Sequence, residues 1–428
     1  MCFPRYREAG AVPGTQSCPL TASTAKGGMA TYFCTSSSGV SRIERYCSTV
    51  PKNLGACEST PHPIAIGTAN KSLAETDLEG ADGLLSLKRF YNSSEAAGQG
   101  EMLGGAWRSG FESKVVASSE GASVYRPDGR IFHFSGRGSA YVADGDVNDT
   151  LVRVSGTPGG WHYVDMSAGR VEAYDTAGRL TRLTRHDGRS LTLTYSTADT
   201  PAEIAPGADY LIAVTDPFGR ALRFYYDDSK RLRAAVDASG HAYGYAYDAN
   251  ANLAAVSTPD GHHKTYSYNE STQTGGEHLP GALTGIADST HGRVASYSYA
   301  QGRATGELRL ADAGTPVDNY QIVYDRYTGY DEGSGATHAS GQSTVIDPLG
   351  TRRVHTFAQV LGVTRGTGVS QPGGSGCAAS SSHVAYDARG NVSRRDDFNE
   401  HRSCMAYDAR NRESLRSKAC TRTPIAVQ

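Results

Sequence analysis

The sequence lacks most of what enzymes and membrane proteins carry. No stretch reaches the ~18–20 apolar residues that a membrane-crossing helix needs. There is no CxxC pair, which argues against a zinc ribbon. No GxSxG elbow, HExxH helix, P-loop or GxGxxG fingerprint occurs. Neither sign of charge is in excess: 42 Lys and Arg stand against 44 Asp and Glu, interspersed along the chain. Charge therefore gives no case for nucleic acid or an anionic membrane as partner. Apolar residues do not recur at helical spacing over any long segment, and there are only 5 Met and 2 Trp. The opening "MCFPRYREAG" lacks the apolar core of a secretory signal, which points to a cytoplasmic protein or to a start that lies upstream.

What is abundant is Tyr, at 25 residues, and Gly, at 50. Tyr suits half-buried pleated surfaces and Gly marks turns, so the composition predicts an all-β chain. The turns keep time. Asp387-Ala388-Arg389-Gly390 places Asp first, where its carboxylate accepts from the amides that follow, and Gly fourth, where positive φ is free of a Cβ clash. Pro occupies the second position in Asp216-Pro217-Phe218-Gly219, Asp347-Pro348-Leu349-Gly350, Arg126-Pro127-Asp128-Gly129 and Thr258-Pro259-Asp260-Gly261. The fourth turn position falls at Gly219, Lys230, Gly240, Ala251 and Gly261, and again at Gly390, Glu400 and Asn411; Gly178 and Gly188 keep the same step. Steps of 10 and 11 residues leave room for one ordinary strand between turns. The pattern is a long antiparallel up-and-down meander with a 21-residue hairpin period.

Tyr precedes the turn Asp at Tyr174-Asp175, Tyr226-Asp227, Tyr247-Asp248, Tyr386-Asp387 and Tyr407-Asp408; Asp216 and Asp237 open the alternate turns. Equivalent positions share a face and an edge, so these Tyr form a ladder along one edge of the sheet. Two readings follow: rings packed between hairpins with hydroxyls at the wet edge, or exposed rows that stack on sugars. Lys230, Ala251 and Glu400 stand where Gly is least strained, so their turns are expected to take another form, while Asn411 is a tolerated substitute.

The chain divides into a Cys-rich irregular segment (1–60), a β region without the clock (61–170), the clocked repeats (171–412) and a tail (413–428). Loops are expected near 196–209, 329–343 and 366–382. Cys2, Cys18, Cys34, Cys47 and Cys57 crowd the start, and Cys377, Cys404 and Cys420 lie near the end. They read either as disulfides formed in an oxidising compartment or as unpaired thiols; one candidate bridge joins Cys377 and Cys404.

The Tyr-Asp-x-x-Gly hairpins resemble the YD repeats of bacterial Rhs proteins. The segment "PIAIGTANKSLAETDLEGADGLLSLKRFYNSS" resembles the start of the domain that precedes such repeats, through Thr68, Asn70, Lys71, Glu75, Thr76, Asp77, Leu84, Arg89, Tyr91, Asn92 and Ser93. Gly105 and Trp107 match its later part. The resemblance spans about 63 to 412 and implies a sheet that spirals into a hollow shell around a C-terminal toxin. It also implies a link to toxin delivery or the cell surface, and hence a secreted or surface location after synthesis in the cytoplasm. The family's self-cleavage segment of Asp-Pro-x-Gly-Leu type has no counterpart: the Asp216 and Asp347 segments lack the following Leu and sit on the turn clock. The chain reads as the front part of such a protein, with the far end of the shell and the toxin tip missing.

Taken together, these features predict a non-enzymatic scaffold without cofactor or metal; the alternative is a carbohydrate-binding surface module that uses exposed Tyr rows. His262 and His263 point to opposite strand faces and do not share an ion readily. Too few hairpins are present for a full shell, so open sheet edges are expected to self-associate or to take the missing half. A toxin cargo and a surface glycan are further partners that the resemblance implies.

Overall fold

A computed structural model describes residues 58–420, apart from breaks at 81–82, 95–99, 138–139, 157–158, 312–313, 327–329, 332–335, 338–339, 375–377 and 419, plus a few short strands before residue 48. Nearly all of its regular structure is strand, and the single helix among the described residues is the four-residue Ser271–Thr274. One antiparallel sheet of 22 strands runs from Thr150–Val154 to Glu413–Lys418. Its strands lie in sequence order without a crossover, as the turn clock predicts.

The turns repeat one geometry. Asp216 Oδ1 accepts from the amides of Phe218 (2.9 Å) and Arg220 (2.9 Å), and Oδ2 accepts from Arg220 Nε (2.6 Å). Asp175, Asp237, Asp248, Asp387 and Asp408 hold the same two amides of their own turns. Gly219 closes its turn at φ 80°. Lys230, Ala251 and Glu400 do not change the turn form; they adopt the same left-handed conformation at φ 69°, 63° and 64°. The physical reason is room: Lys230, Ala251 and Glu400 are all exposed, so each side chain meets only backbone strain.

The Tyr ladder is inward and bonded. Each pre-turn Tyr sits at a register shift, as at Tyr226, Tyr247 and Tyr407. The hydroxyl of Tyr226 donates to the Leu211 carbonyl at 2.8 Å, and Tyr247 and Tyr268 reach Leu232 and Leu253 in the same way. Tyr195, Tyr386 and Tyr407 make the equivalent bond to Leu180, Gly366 and Val392. Tyr174 instead bonds Ser113 and Glu172. The expectations of hydroxyls at a wet edge and of exposed Tyr rows are both overturned. Tyr174 and Tyr226 are buried, the other three are half-buried, and every one of these hydroxyls has a partner.

Three expected boundaries shift. The long sheet starts at Thr150, inside the region 61–170, and its last strand takes residues 413–418 out of the expected tail. Residues 366–382 are not one loop: strands Val363–Gln371 and Ser380–Tyr386 pair across most of it. Gly368 lies in a strand because a Cβ there would meet the Ser382 carbonyl at 2.8 Å. Loop 196–209 is seen as expected; 329–343 lies partly outside the described residues, and strand Ser340–Ile346 takes up its end.

The segment before the sheet forms two small sheets, of three strands (Ser72–Leu78, Leu87–Asn92, Trp107–Ser109) and four (Lys114–Ala117 to Ala140–Ala143). This leader crosses fifteen strands of the long sheet, from Arg352–Val360 back to Arg170–Tyr174. On the way Glu58 meets His355, the Met102 carbonyl accepts from Leu232, and Phe111 packs edge-on against Phe224. One contiguous core joins leader and sheet, with Trp107, Tyr91, Phe134, Tyr163 and Phe224 buried in it.

The sheet is also wound. Call the side that bears the Tyr-Asp turns the tyrosine edge. The first strand starts at the other edge, preceded by residues 144–149. Those residues touch turns of the tyrosine edge at the far end of the sheet, where Asn411 reaches Gly145 and Asn148 and Arg365 reaches Asp146. Opposite edges meeting after one circuit make a coil, which is the spiral that the resemblance implies.

Two outcomes follow. Lys230→Gly and Glu400→Gly should each raise stability by about 1 kcal/mol, read as a higher denaturant midpoint at constant m; a fall in stability for both would contradict the strain argument. Acid should loosen the turns. The Arg412 amide, then its guanidinium, holds Asp408 down to about 2 from an ordinary 3.8. For Asp216 burial pushes up, but the Arg220 side chain and the turn amides outweigh it and the carboxyl lies low; Asp237, Asp387 and Asp397 are also lowered. Because the folded values are depressed, this stability is fully present above the unfolded value near 3.8 and is lost as pH falls toward 2. A thermal midpoint that stays flat between pH 4 and pH 2 would exclude it.

Candidate functional site

The chemically richest part of the molecule is the contact between leader and sheet, where charges are buried in three places. The first follows from strand geometry. Glu75 and Asp77 lie two apart on strand Ser72–Leu78 and so share a face, and Arg89 is the register partner of Glu75 on the next strand. Arg89 Nε bonds Asp77 at 2.8 Å and Nη2 bonds Glu75 at 2.9 Å. The long sheet supplies the rest: Tyr266 Oη lies 3.1 Å from Arg89 and 2.5 Å from Glu75, Tyr245 donates to Asp77 at 2.8 Å, and Lys264 bonds Glu75 at 3.1 Å. Arg89 is 1% exposed, lies over the Trp107 ring at 4.9 Å, and leaves only Nη1 without a hydrogen bond. Burial pushes the Glu75 carboxyl up, but Arg89 and Lys264 outweigh it, so Glu75 titrates below the usual carboxylate range.

The second is built on Arg126, the first residue of a leader turn. Its guanidinium bonds both Glu172 oxygens, at 2.5 and 2.8 Å, and Asp165 at 3.1 Å, and lies 5.0 Å from the Tyr163 ring. Tyr174 donates to Glu172 and bonds Ser113 at 2.8 Å. Burial raises the Glu172 carboxyl, yet Arg126 pulls it below the ordinary value.

At the third, Lys71 is fully buried. Its ammonium donates to the carbonyls of Ser72 (2.7 Å) and His62 (3.2 Å) and lies 4.2 Å over the Tyr297 ring. Burial outweighs Glu307 and Glu75 and pushes Lys71 down to about 7. Glu307, bonded by Thr60 at 2.7 Å and the His62 amide, is pushed up by burial.

These groups are arranged to hold rather than to react. The carboxylates of Glu75, Asp77 and Glu172 are each occupied by a guanidinium and a Tyr hydroxyl, which leaves none of them placed as a free base. Two clefts run along the leader's rim, of 260 Å³ and 410 Å³, sharing Glu75, Lys264, Asp288 and His291. His262 and His263 stand exposed at the mouth of the smaller one; His262 Nδ1 lies 3.4 Å from Ser289 Oγ. Among the described residues no group of three or more His, Cys, Asp or Glu is placed to hold a metal ion.

Apart from Tyr174, which joins the Arg126 cluster, the residues chosen from sequence lie elsewhere, on the two rims. Asp216, Gly219, Asp237 and Gly240 mark one edge, and Tyr174, Asp175, Gly178, Tyr226, Asp227, Tyr247, Asp248, Tyr386, Asp387, Gly390, Tyr407 and Asp408 the other. The proposed bridge of Cys377 and Cys404 is corrected. Cys404 pairs with Cys420, their Cα atoms 6.2 Å apart, because strand Glu413–Lys418 folds back along Arg402–Tyr407 and brings residue 420 alongside. Cys377 lies outside the described residues. The roles of Arg126 and Glu307 escape sequence reading, but Lys71, Glu75, Asp77 and Arg89 were all within the leader motif. A signal was there: charged residues at alternate positions of a strand otherwise apolar enough to be buried.

Comparison with known proteins adds two family models. Residues 61–134 match a domain of unknown function, DUF6531, and residues 226–263 match the RHS Repeat. Among solved structures, TcdB2-TccC3-TEV is 12% identical, over 78% of this chain and 22% of that one, with a TM-score of 0.24. TcdB2-TccC3-Cdc42 is 11% identical over 91% and 26%, also at 0.24. A porin-like protein from Bacteroides uniformis is 11% identical over 63% and 93%, at 0.16. The chain spans about a quarter or less of the length of the TcdB2-TccC3 structures. No curated protein matches the sequence. The chain thus carries a DUF6531 leader followed by an RHS Repeat, and the hairpins of that repeat continue as a sheet of 22 hydrogen-bonded strands.

Proposed function

We propose that the chain is a non-enzymatic scaffold, one part of an Rhs-type shell used in toxin delivery or at the bacterial cell surface. The observation that carries this reading is the leader fixed to the long sheet by the buried pairs of Arg126 with Glu172 and Asp165 and by the Tyr245 and Tyr266 hydroxyls that close the Arg89 cluster. Such a contact makes the two parts one wall, as a container needs. The TcdB2-TccC3 structures, by their names assemblies of more than one component, are compatible with a shell that works in a complex. Cys404–Cys420 fits an oxidising compartment and hence a secreted or surface location. The outermost strands of the sheet, Thr150–Val154 and Glu413–Lys418, each have one strand neighbour among the described residues, and such edges take up further strands from a second copy or from the rest of a shell.

Arg126→Ala should cost about 3–5 kcal/mol, because it leaves Glu172 and Asp165 of the sheet without their buried cation. Chemical denaturation reads this directly, and a loss below ~1 kcal/mol, the range of an exposed pair, would mean that the leader is not held this way. The scaffold reading itself is tested by light scattering and a glycan panel on the full chain. Mass above 45.3 kDa that grows with concentration, with no saturable glycan binding, is expected. A strictly monomeric species at high concentration would sink the edge-pairing role. Saturable binding to a glycan would replace the scaffold with a recognition module.

A further inference from the structure

At the fourth turn position Gly219, Gly240 and Gly261 face open space, whereas Asn411 makes contacts beyond its own hairpin. Its backbone is left-handed at φ 58°. Its Nδ2 donates to the Gly145 carbonyl and to Asn148 Oδ1, both at 2.9 Å, and its Oδ1 accepts from Asn391 Nδ2 at 3.0 Å. Gly145 and Asn148 belong to the segment 144–149 that leads into the first strand, so this one side chain joins the end of the winding to its beginning.

Two further contacts lie beside it. Arg365 reaches Asp146 at 3.3 Å, and the Asp146 side chain is only 5% exposed. Gly145 packs so closely on Arg389 that a Cβ there would stand 3.2 Å from Arg389 Cγ. Gly390 leaves space for Arg365, whose guanidinium would lie 3.0 Å from a Cβ at that position. Every one of these contacts between windings is made by a side chain; none is part of the strand ladder.

We propose that Asn411, with Arg365 and Asp146, forms a latch between successive windings of the coil. It opens as a unit while the ladders on both sides stay closed, and so lets the windings part and rejoin without unfolding. The fourth turn position suits this role. A residue there extends from the hairpin tip, where Gly219, Gly240 and Gly261 meet nothing, and so faces the neighbouring winding where one is present.

Hydrogen exchange read by mass spectrometry on the full chain tests this. Asn411→Gly removes the amide while easing the backbone, so the turn survives. Asn411→Asp keeps tolerance of the left-handed conformation but removes the donor. In both, exchange across 144–149, including the Val147 amide that bonds Asp144, should rise by roughly tenfold, the scale of losing two ordinary hydrogen bonds. Strands Arg402–Tyr407 and Glu413–Lys418 should keep their protection, and Lys230→Gly should leave 144–149 unchanged. Unchanged exchange at 144–149 in both Asn411 variants overturns the latch. So does equal loss of protection across 402–418, which would make Asn411 a turn residue and nothing more.

Discussion

The repeating part of the sheet depends on one small interaction, the carboxylate of a turn Asp accepting two backbone amides of its own turn. A chain that must reverse direction twenty-one times to lay down 22 antiparallel strands leaves orphan amides at every reversal. Asp216, Asp248 and Asp387 dispose of them locally, at 2.8–2.9 Å, without needing a neighbour. Local satisfaction makes the motif repeatable. Each hairpin closes on its own, and the Tyr hydroxyl then ties it to the strand before it through one carbonyl. The repeat is thus an Asp that ends a strand and a Tyr that fastens it to the last one.

The leader supplies what repetition cannot. A uniform meander has no preferred register against anything laid on its face. Arg89, Arg126 and Lys71 break that uniformity by fitting Tyr266, Glu172 and Tyr297 at three different distances along the sheet. A buried charge whose partner lies across the contact, as Glu172 does for Arg126, is weak as a source of stability and strong as a source of register, since a slip strands it, and a slip would likewise part Arg89 and Glu75 from the Tyr266 hydroxyl. The leader motif residues Lys71, Glu75, Asp77 and Arg89 are therefore positioning residues.

The meander was legible because its cause is local: the step between Gly219 and Gly240 is written in turn chemistry and needs no tertiary knowledge. The orientation of the Tyr ladder was not. Alternation places Tyr226 on a face but does not say which face is covered, and the bulge at Tyr225/Tyr226 that aims its hydroxyl at Leu211 has no signature in composition. Lys230 and Glu400 misled in the other direction. Their strain was read correctly, but the turn accepts it because Asp227 and Asp397 hold the flanking amides and the space beyond is open. The leader contacts were invisible for the reason most long-range contacts are. Arg89 and Tyr266 are 177 residues apart, and nothing near either names the other.

The offset between the two edges fixes how such a wall grows. Because the start of the first strand meets turns beyond the eighteenth, one circuit takes about 19 strands, which at ~4.8 Å each gives a circumference on the order of 90 Å and a bore near 30 Å before side chains. Further hairpins advance along the axis by one strand length per circuit and leave the bore unchanged. The length of the coil is then a matter of repeat number alone, as in a cylinder whose gauge is set once and whose length is cut to order.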